Sequence, residues 1–149
     1  MLEERVYKDY LEAFKGKNKQ RAGFLSFIRA ELKNSAINLR KDKLDDNEVL
    51  SVLKKQKKRL EETKQSIISS ERFELLENTE KELAVLEEYL PKLLTEDELS
   101  DAVDRGISKA GATSMKDMGK VMKEVLAEAG VRVDAKKVSE LVRNKLSRS

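Results

Sequence analysis

Cysteine, histidine and tryptophan are absent from the 149-residue sequence, proline occurs once, and aromatic residues make up only 5% of it. Without cysteine or histidine the chain has no disulfide, thiolate nucleophile, Cys/His zinc site or histidine general base. We therefore expect no metal, no cofactor and no catalytic residue. No apolar run is long enough to span a bilayer and no signal-peptide core is visible, so we expect no membrane contact and a cytoplasmic location.

Charged residues are abundant instead, at 40% of the sequence, yet the formal net charge is only +3. A charge-rich chain with few aromatic residues favours helices over strands, which prefer aromatic and β-branched side chains. The spacing of the apolar residues indicates seven helices and no strand, so we predict an all-α fold. So small a positive excess is compatible with a nucleic-acid partner but does not require one.

The single proline, Pro91, marks a joint in this helical chain. Proline ends or kinks a helix that runs into it, and Thr95 with Glu98 forms a capping box that starts a new helix soon afterwards. We predict two lobes: an N-terminal domain of about four long helices over residues 1–91, and a small three-helix domain over residues 92–149. The sequence leaves open whether the lobes hinge about Pro91.

Caps and breakers give the helix boundaries of the N-terminal lobe. The predicted helices cover Leu2–Phe14, a stretch from a cap at Asn18 to about Leu39, Asp46 to about Ser69, and Glu71–Leu90. Ser69-Ser70 is either a turn or a bend within one very long helix. The apolar stripes predict a set of buried side chains that includes Tyr7, Leu11, Phe14, Phe24, Leu25, Phe27, Ile28, Leu32, Ile37, Leu39 and Phe73.

The C-terminal lobe contains three shorter predicted helices. They cover Glu96–Ala110, a stretch from a cap at Ser114 to Gly130, and a stretch that begins after a cap at Asp134. The middle one has a Met-rich apolar face. Glycine inside a helix costs about 1 kcal/mol relative to alanine. A glycine within a helix therefore needs a reason, which is either close packing of another helix or close approach of a ligand backbone. We expect helix packing to be the reason at Gly23, Gly106 and Gly119.

Two clusters of basic residues are candidate phosphate-binding surfaces. The densest run consists of Lys54, Lys55, Lys57, Lys58 and Arg59. It covers most of a helix's solvent face, and the alternative is an ordinary solvated surface paired with Glu61 and Glu62. The second cluster, in the small lobe, consists of Lys116, Lys120, Lys123, Arg132, Lys136, Lys137 and Arg143. The positive N-terminal end of the last helix would add to it, and ordinary surface lysine is again the alternative.

Three stretches resemble the YqeY family of small bacterial proteins: residues 29–34 (RAELKN), 82–92 (ELAVLEEYLPK) and 114–122 (SMKDMGKVM). That family is similar to the C-terminal tail domain of GatB, a subunit of the amidotransferase that converts Glu-tRNA(Gln) or Asp-tRNA(Asn) to the amide form. The resemblance implies an all-helical, two-lobed fold and tRNA contact, and it favours Lys120 and Lys123 as contacts. Before the final helix the chain departs from the family pattern, because one expected cation is missing and another is displaced.

We expect this chain to bind tRNA or another structured RNA without catalysis of its own. The resemblance alone implies an accessory role in amidotransferase activity, which is a glutamine-dependent carbon–nitrogen ligase reaction. The alternative is a helical adaptor that docks on an aminoacyl-tRNA synthetase or an amidotransferase through the Met-rich helix. An adaptor would form a protein complex that survives nuclease and moderate salt, whereas RNA binding would depend strongly on salt.

Overall fold

A computed structural model describes residues 1–148, and every regular element in that range is helical, which confirms the all-α prediction. The seven α-helices of the described chain are α1 Leu2–Lys15, α2 Lys19–Asn38, α3 Asp46–Ser69, α4 Leu76–Glu87, α5 Glu96–Ala110, α6 Met118–Ala129 and α7 Ala135–Ser147. Single 3-10 turns lie at Phe73–Leu75, Met115–Asp117 and Gly130–Arg132. None of the helices within residues 1–148 combines the length and the apolar character that a bilayer crossing needs.

The chain divides into two compact units, which we call unit 1 (Met1–Leu90) and unit 2 (from Pro91 onward). Each has its own apolar core, formed by α1–α4 in unit 1 and by α5–α7 in unit 2. The assignment of residues 1–91 and 92–149 to separate domains stays a prediction.

Local caps in unit 1 follow the sequence closely. The backbone N–H of Arg21 donates to Asn18 Oδ1 over 3.2 Å at the start of α2. Asp45 and Glu48 form a complete capping box at the start of α3. Leu44 and Val49, which flank this box, lie buried in the core. These caps satisfy backbone donors that the first helical turn leaves open.

The predicted apolar stripe of α1 is wrong. Val6 and Ala13 are the buried residues of α1, whereas Tyr7 is 47% and Phe14 is 65% exposed. Small side chains let α1 lie close to α2, so the larger aromatic rings are displaced to the edge of the contact. Three predicted core residues of α2 and its end are also exposed: Phe27, Ile37 and Leu39.

The chain turns between α3 and α4, which resolves the ambiguity at Ser69-Ser70. Glu71 adopts a left-handed conformation with φ 58°, so a continuous helix is impossible there. The predicted helix over residues 71–90 is therefore too long at its start, and Phe73 is 57% exposed in the turn instead of buried. The helix also ends early, at Glu87, and residues 88–90 form a turn that leads into Pro91.

Unit 2 packs α5 against α6 at a glycine. A Cβ atom added to Gly106 would lie 2.7 Å from Val125 Cγ2, so only glycine fits this contact without a shift. The prediction that a helical glycine allows close helix packing is confirmed at Gly106. It is wrong for Gly23 and Gly119, where no atom lies within 4 Å of an added Cβ.

The predicted caps of unit 2 hold at α5 and α7. The N–H of Glu98 donates to Thr95 Oγ1 over 3.1 Å, and the N–H of Lys136 donates to Asp134 Oδ1 over 3.0 Å. The predicted cap at Ser114 is wrong, because its side chain makes no capping bond and a 3-10 turn precedes α6.

Candidate nucleic-acid interface

The seven predicted RNA-binding residues of unit 2 all have exposed side chains. Lys116 lies in the 3-10 turn before α6, and Lys120 and Lys123 lie on α6 itself. The remaining four lie in the turn before α7 or on that helix: Arg132, Lys136, Lys137 and Arg143. We call the complete set the α6–α7 cations.

The core of unit 2 determines which way the lysines of α6 point. Val121 and Val125 are fully buried. At 100° per residue, Lys120 and Lys123 fall on the opposite side of the helix, toward solvent. The heptad spacing of Lys136 and Arg143 places both on the solvent side of α7, opposite the buried Val138.

The acidic residues of α6 face α5 instead. Glu124 pairs with Lys109 over 3.3 Å, and Glu128 pairs with Arg105 over 2.8 Å. These contacts take both carboxylates of α6 away from its lysines. Within residues 1–148, none of the α6–α7 cations forms a salt bridge with a carboxylate.

The acids between residues 115 and 149 are therefore nearly all engaged elsewhere. That stretch holds nine basic and five acidic residues, whereas residues 91–114 hold three basic and five acidic ones. Asp117 accepts a bond from the Thr113 N–H over 3.1 Å, and Asp134 caps α7. Only Glu140 of the five acids stands among the solvent-facing cations of α7 without a described partner, so the exposed side of this region is predominantly positive.

Lys145 has a different role from the other lysines of α7. Its Nζ lies 2.6 Å from Asp104 Oδ1 and 2.7 Å from Ser100 Oγ, so it holds α7 against α5. Arg132 Nε donates only to the carbonyl of Ala129, over 3.4 Å, which leaves most of its guanidinium available.

Asp134 caps the N-terminus of α7. The carboxylate of Asp134 occupies the N–H of Lys136 and brings a negative charge to this end of the helix. The exposed side chains of Lys136 and Lys137 supply the positive charge beside this cap.

The basic run of α3 is only partly exposed. Gln56, in its centre, is only 4% exposed and donates to Glu31 Oε2 over 3.4 Å. Lys54 and Lys57 are half-buried, and the exposed members are Lys55, Lys58 and Arg59. Within residues 1–148 these three form no salt bridge with Glu61 or Glu62. The exposed three follow the i, i+3, i+4 spacing of one helix face, so the run presents three cations on that face rather than five.

The Met-rich face of α6 is mostly used inside unit 2. Met118 and Met122 pack against the core, and Met115 and Leu126 are the exposed apolar residues of this segment. Sequence reasoning missed the α5–α6 ion pairs. Their signal was a matching i, i+4 spacing of opposite charges on successive helices, at 105/109 and 124/128.

No group of three Asp or Glu side chains within residues 1–148 is arranged to hold a metal ion.

A family model described as Yqey-like protein matches residues 3–146, which is nearly all of the chain. No curated protein matches the chain. The family match agrees with the three stretches that carry the resemblance, and on this basis the chain belongs to the YqeY family.

Proposed function

We propose that the protein is a non-catalytic RNA-binding protein that holds tRNA, or an RNA of similar structure, through the α6–α7 cations. The observation that carries the proposal is the separation of charge in unit 2. The acids of α6 pair with α5, and the lysines of α6 face solvent without a carboxylate partner among the described residues. Cations that are not already paired can neutralise phosphates, and this releases the counterions condensed on the nucleic acid. That release is a large source of affinity for nucleic acids.

Gly119 adds a second argument. It is exposed at the start of α6, between Lys116 and Lys120, and no atom lies within 4 Å of an added Cβ. The internal packing of unit 2 therefore gives no reason for glycine at this position. A residue without a side chain lets a ribose–phosphate backbone approach α6 between the flanking lysines.

The resemblance to the GatB tail domain supports tRNA as the RNA. It also supports a cytoplasmic location and an accessory role beside an amidotransferase. The adaptor function is the less favoured alternative, because Met118 and Met122 pack against the core of unit 2, which leaves less of the apolar face of α6 for a partner.

The test is a fluorescence-anisotropy titration of the full chain with bulk tRNA, at about 50 and about 200 mM salt, with a DNA duplex as competitor. The double variant Lys120→Gln with Lys123→Gln removes two unpaired cations. The control, Arg105→Gln with Lys109→Gln, removes two cations of the same unit that are already paired.

We expect the first double variant to bind tRNA about tenfold more weakly at the lower salt and to have a shallower salt dependence by about two charges. The control should bind within about twofold of the parent. Equal affinity for the parent and the first variant would exclude this site, and equal competition by the DNA duplex would exclude selectivity for structured RNA.

A further inference from the structure

We propose that unit 1 contains a binding site for a small organic anion, one that carries a carboxylate or phosphate group beside an aromatic or apolar body. The site is a cleft of about 380 Å³ between α1, α2 and the loop after α2. The residues that would contact the anion are Tyr7, Arg29, Lys33 and Lys43. This volume lies within the usual range for small-molecule sites. The proposal is independent of RNA binding by unit 2, and it assigns a role to residues 29–34, which that function leaves unexplained.

Arg29 is held in place by two aromatic rings rather than by an acid. Its guanidinium carbon lies 4.4 Å from the ring centre of Tyr7 and 5.0 Å from that of Tyr10. Ring faces attract the cation but do not accept its in-plane N–H groups in the way a carboxylate does. Arg29 forms no salt bridge within residues 1–148, so its donor fork remains available for an oxyanion.

Two lysines border the cleft beside Arg29. Lys33 follows it by one turn on α2, and Lys43 comes from the loop after α2. The loop is fixed on both sides of Lys43: the N–H of Leu44 donates to Glu3 Oε2 over 3.0 Å, and Lys41 Nζ lies 2.8 Å from Glu48 Oε1. These contacts hold the backbone of the loop that carries Lys43, which lowers the entropic cost of ordering the loop when a ligand binds.

The acids around the cleft restrict the kind of anion. Glu3, Glu4 and Asp42 also border it, and one oxygen of Glu3 is used by the Leu44 N–H. Exposed carboxylates on Glu4 and Asp42 repel a polyanion such as RNA. They accept hydrogen bonds from a small ligand that carries N–H groups beside a single anionic group.

Tyr7 supplies the apolar wall of the cleft. Its ring is 47% exposed although α1 packs through Val6 and Ala13, so core packing does not explain an aromatic residue there. An exposed ring next to a guanidinium is suited to stacking against a flat ligand body.

The test is a ¹H–¹⁵N NMR titration of the full chain with two probes, adenosine 5′-monophosphate for phosphate and N-acetylphenylalanine for carboxylate. We expect saturable shifts at the amides of Tyr7, Arg29, Lys33 and Leu44 with at least one probe. The probe that binds more tightly identifies the anionic group.

Arg29→Gln and Lys33→Gln should each weaken binding of that probe, by about tenfold for Arg29→Gln, because a charge-assisted hydrogen bond is lost. Lys33 is exposed and has no described salt bridge, so Lys33→Gln should fold like the parent. Weaker binding by this variant would therefore reflect the lost cation and not a loss of structure. The control Arg59→Gln, on α3, should bind like the parent. The proposal fails if neither probe gives saturable shifts at millimolar concentration, or if both cleft variants bind as tightly as Arg59→Gln. Neither outcome would bear on tRNA affinity, which belongs to unit 2.

Discussion

Unit 1 and unit 2 build their cores from different side chains. Unit 1 buries Phe24, Leu25, Ile28 and Leu53, together with the ring of Tyr89. The core of unit 2 is mostly valine: Val103, Val121, Val125, Val133, Val138 and Val142. Short branched side chains fill less space, so the helices of unit 2 must approach closely, and Gly106 permits this. A small unit can thus form a filled core without aromatic residues.

The two units also differ in how they present cations. In unit 1 the basic run of α3 surrounds the buried Gln56, and two of its five cations are half-buried. In unit 2 the acids of α6 pair with α5, and the lysines of α6 are left on the solvent side. A dense run of lysines in a sequence therefore overstates the number of cations that the helix exposes to solvent.

The largest expected effect tests the close packing of unit 2. Gly106→Leu should lower the free energy of unfolding by about 3 kcal/mol, because the new side chain must enter the space of Val125. Gly119→Leu is the matched control, and at this open position it should raise stability by about 0.5–1 kcal/mol through helix propensity. Urea unfolding followed by circular dichroism measures both. Similar stabilities for the two variants would contradict the packing at Gly106.

The next effect concerns the end of unit 1. The hydroxyl of Tyr89 donates to Asp9 Oδ2, and the guanidinium of Arg5 lies 4.8 Å from the centre of the Tyr89 ring. Tyr89→Phe should lower the free energy of unfolding by about 2 kcal/mol at neutral pH, because a hydrogen bond to a charged group is lost. The control Tyr7→Phe, at an exposed ring, should change it by less than about 0.5 kcal/mol.

Tyr89 also predicts a pH dependence. Burial, and then the bond to Asp9, raises the pKa of Tyr89 above its ordinary value. In the unfolded chain the phenol ionises near pH 10, so its contribution to stability is complete below about pH 10 and is lost as the pH rises further. Unfolding midpoints at pH 9 and pH 11 should differ less for Tyr89→Phe than for the parent. An identical alkaline loss in both proteins would show that another group is responsible.

A smaller effect separates the lysine that anchors α7 from the lysines proposed to contact RNA. Lys145→Gln removes the bonds from Lys145 Nζ to Asp104 and Ser100. The Asp104 side chain is partly exposed to water, so the variant should lower the free energy of unfolding by only about 1 kcal/mol. Lys123→Gln should change it by less than about 0.5 kcal/mol. Thermal unfolding compares the two variants. Equal stability would mean that Lys145 is not needed to hold α7.

Much of the fold could be predicted because helix boundaries depend on local chemistry. Asn18, Thr95 and Asp134 cap helices as predicted, since the capping oxygen and the backbone N–H lie within a few residues of each other. Burial on α1 could not be predicted in the same way. An apolar stripe gives a direction on one helix, but the neighbouring helix decides whether Val6 or Tyr7 faces it.

The same distinction applies to the candidate site. The exposure of Lys120 and Lys123 follows from the apolar period of α6 alone. The pairing of Glu124 and Glu128 with α5 depends on how two helices pack, which a single sequence does not specify. The open space at Gly119 is likewise a tertiary fact, and so are the rings that hold Arg29.

The most direct test of the central claim compares the two basic clusters by the salt dependence of tRNA binding. Lys120→Gln with Lys123→Gln is measured beside Lys55→Gln with Lys58→Gln, at five salt concentrations between about 50 and 300 mM. We predict that the slope of log K against log salt becomes shallower by about two for the α6 pair and stays unchanged for the α3 pair. A shallower slope for the α3 pair alone would contradict the account and move RNA binding to unit 1.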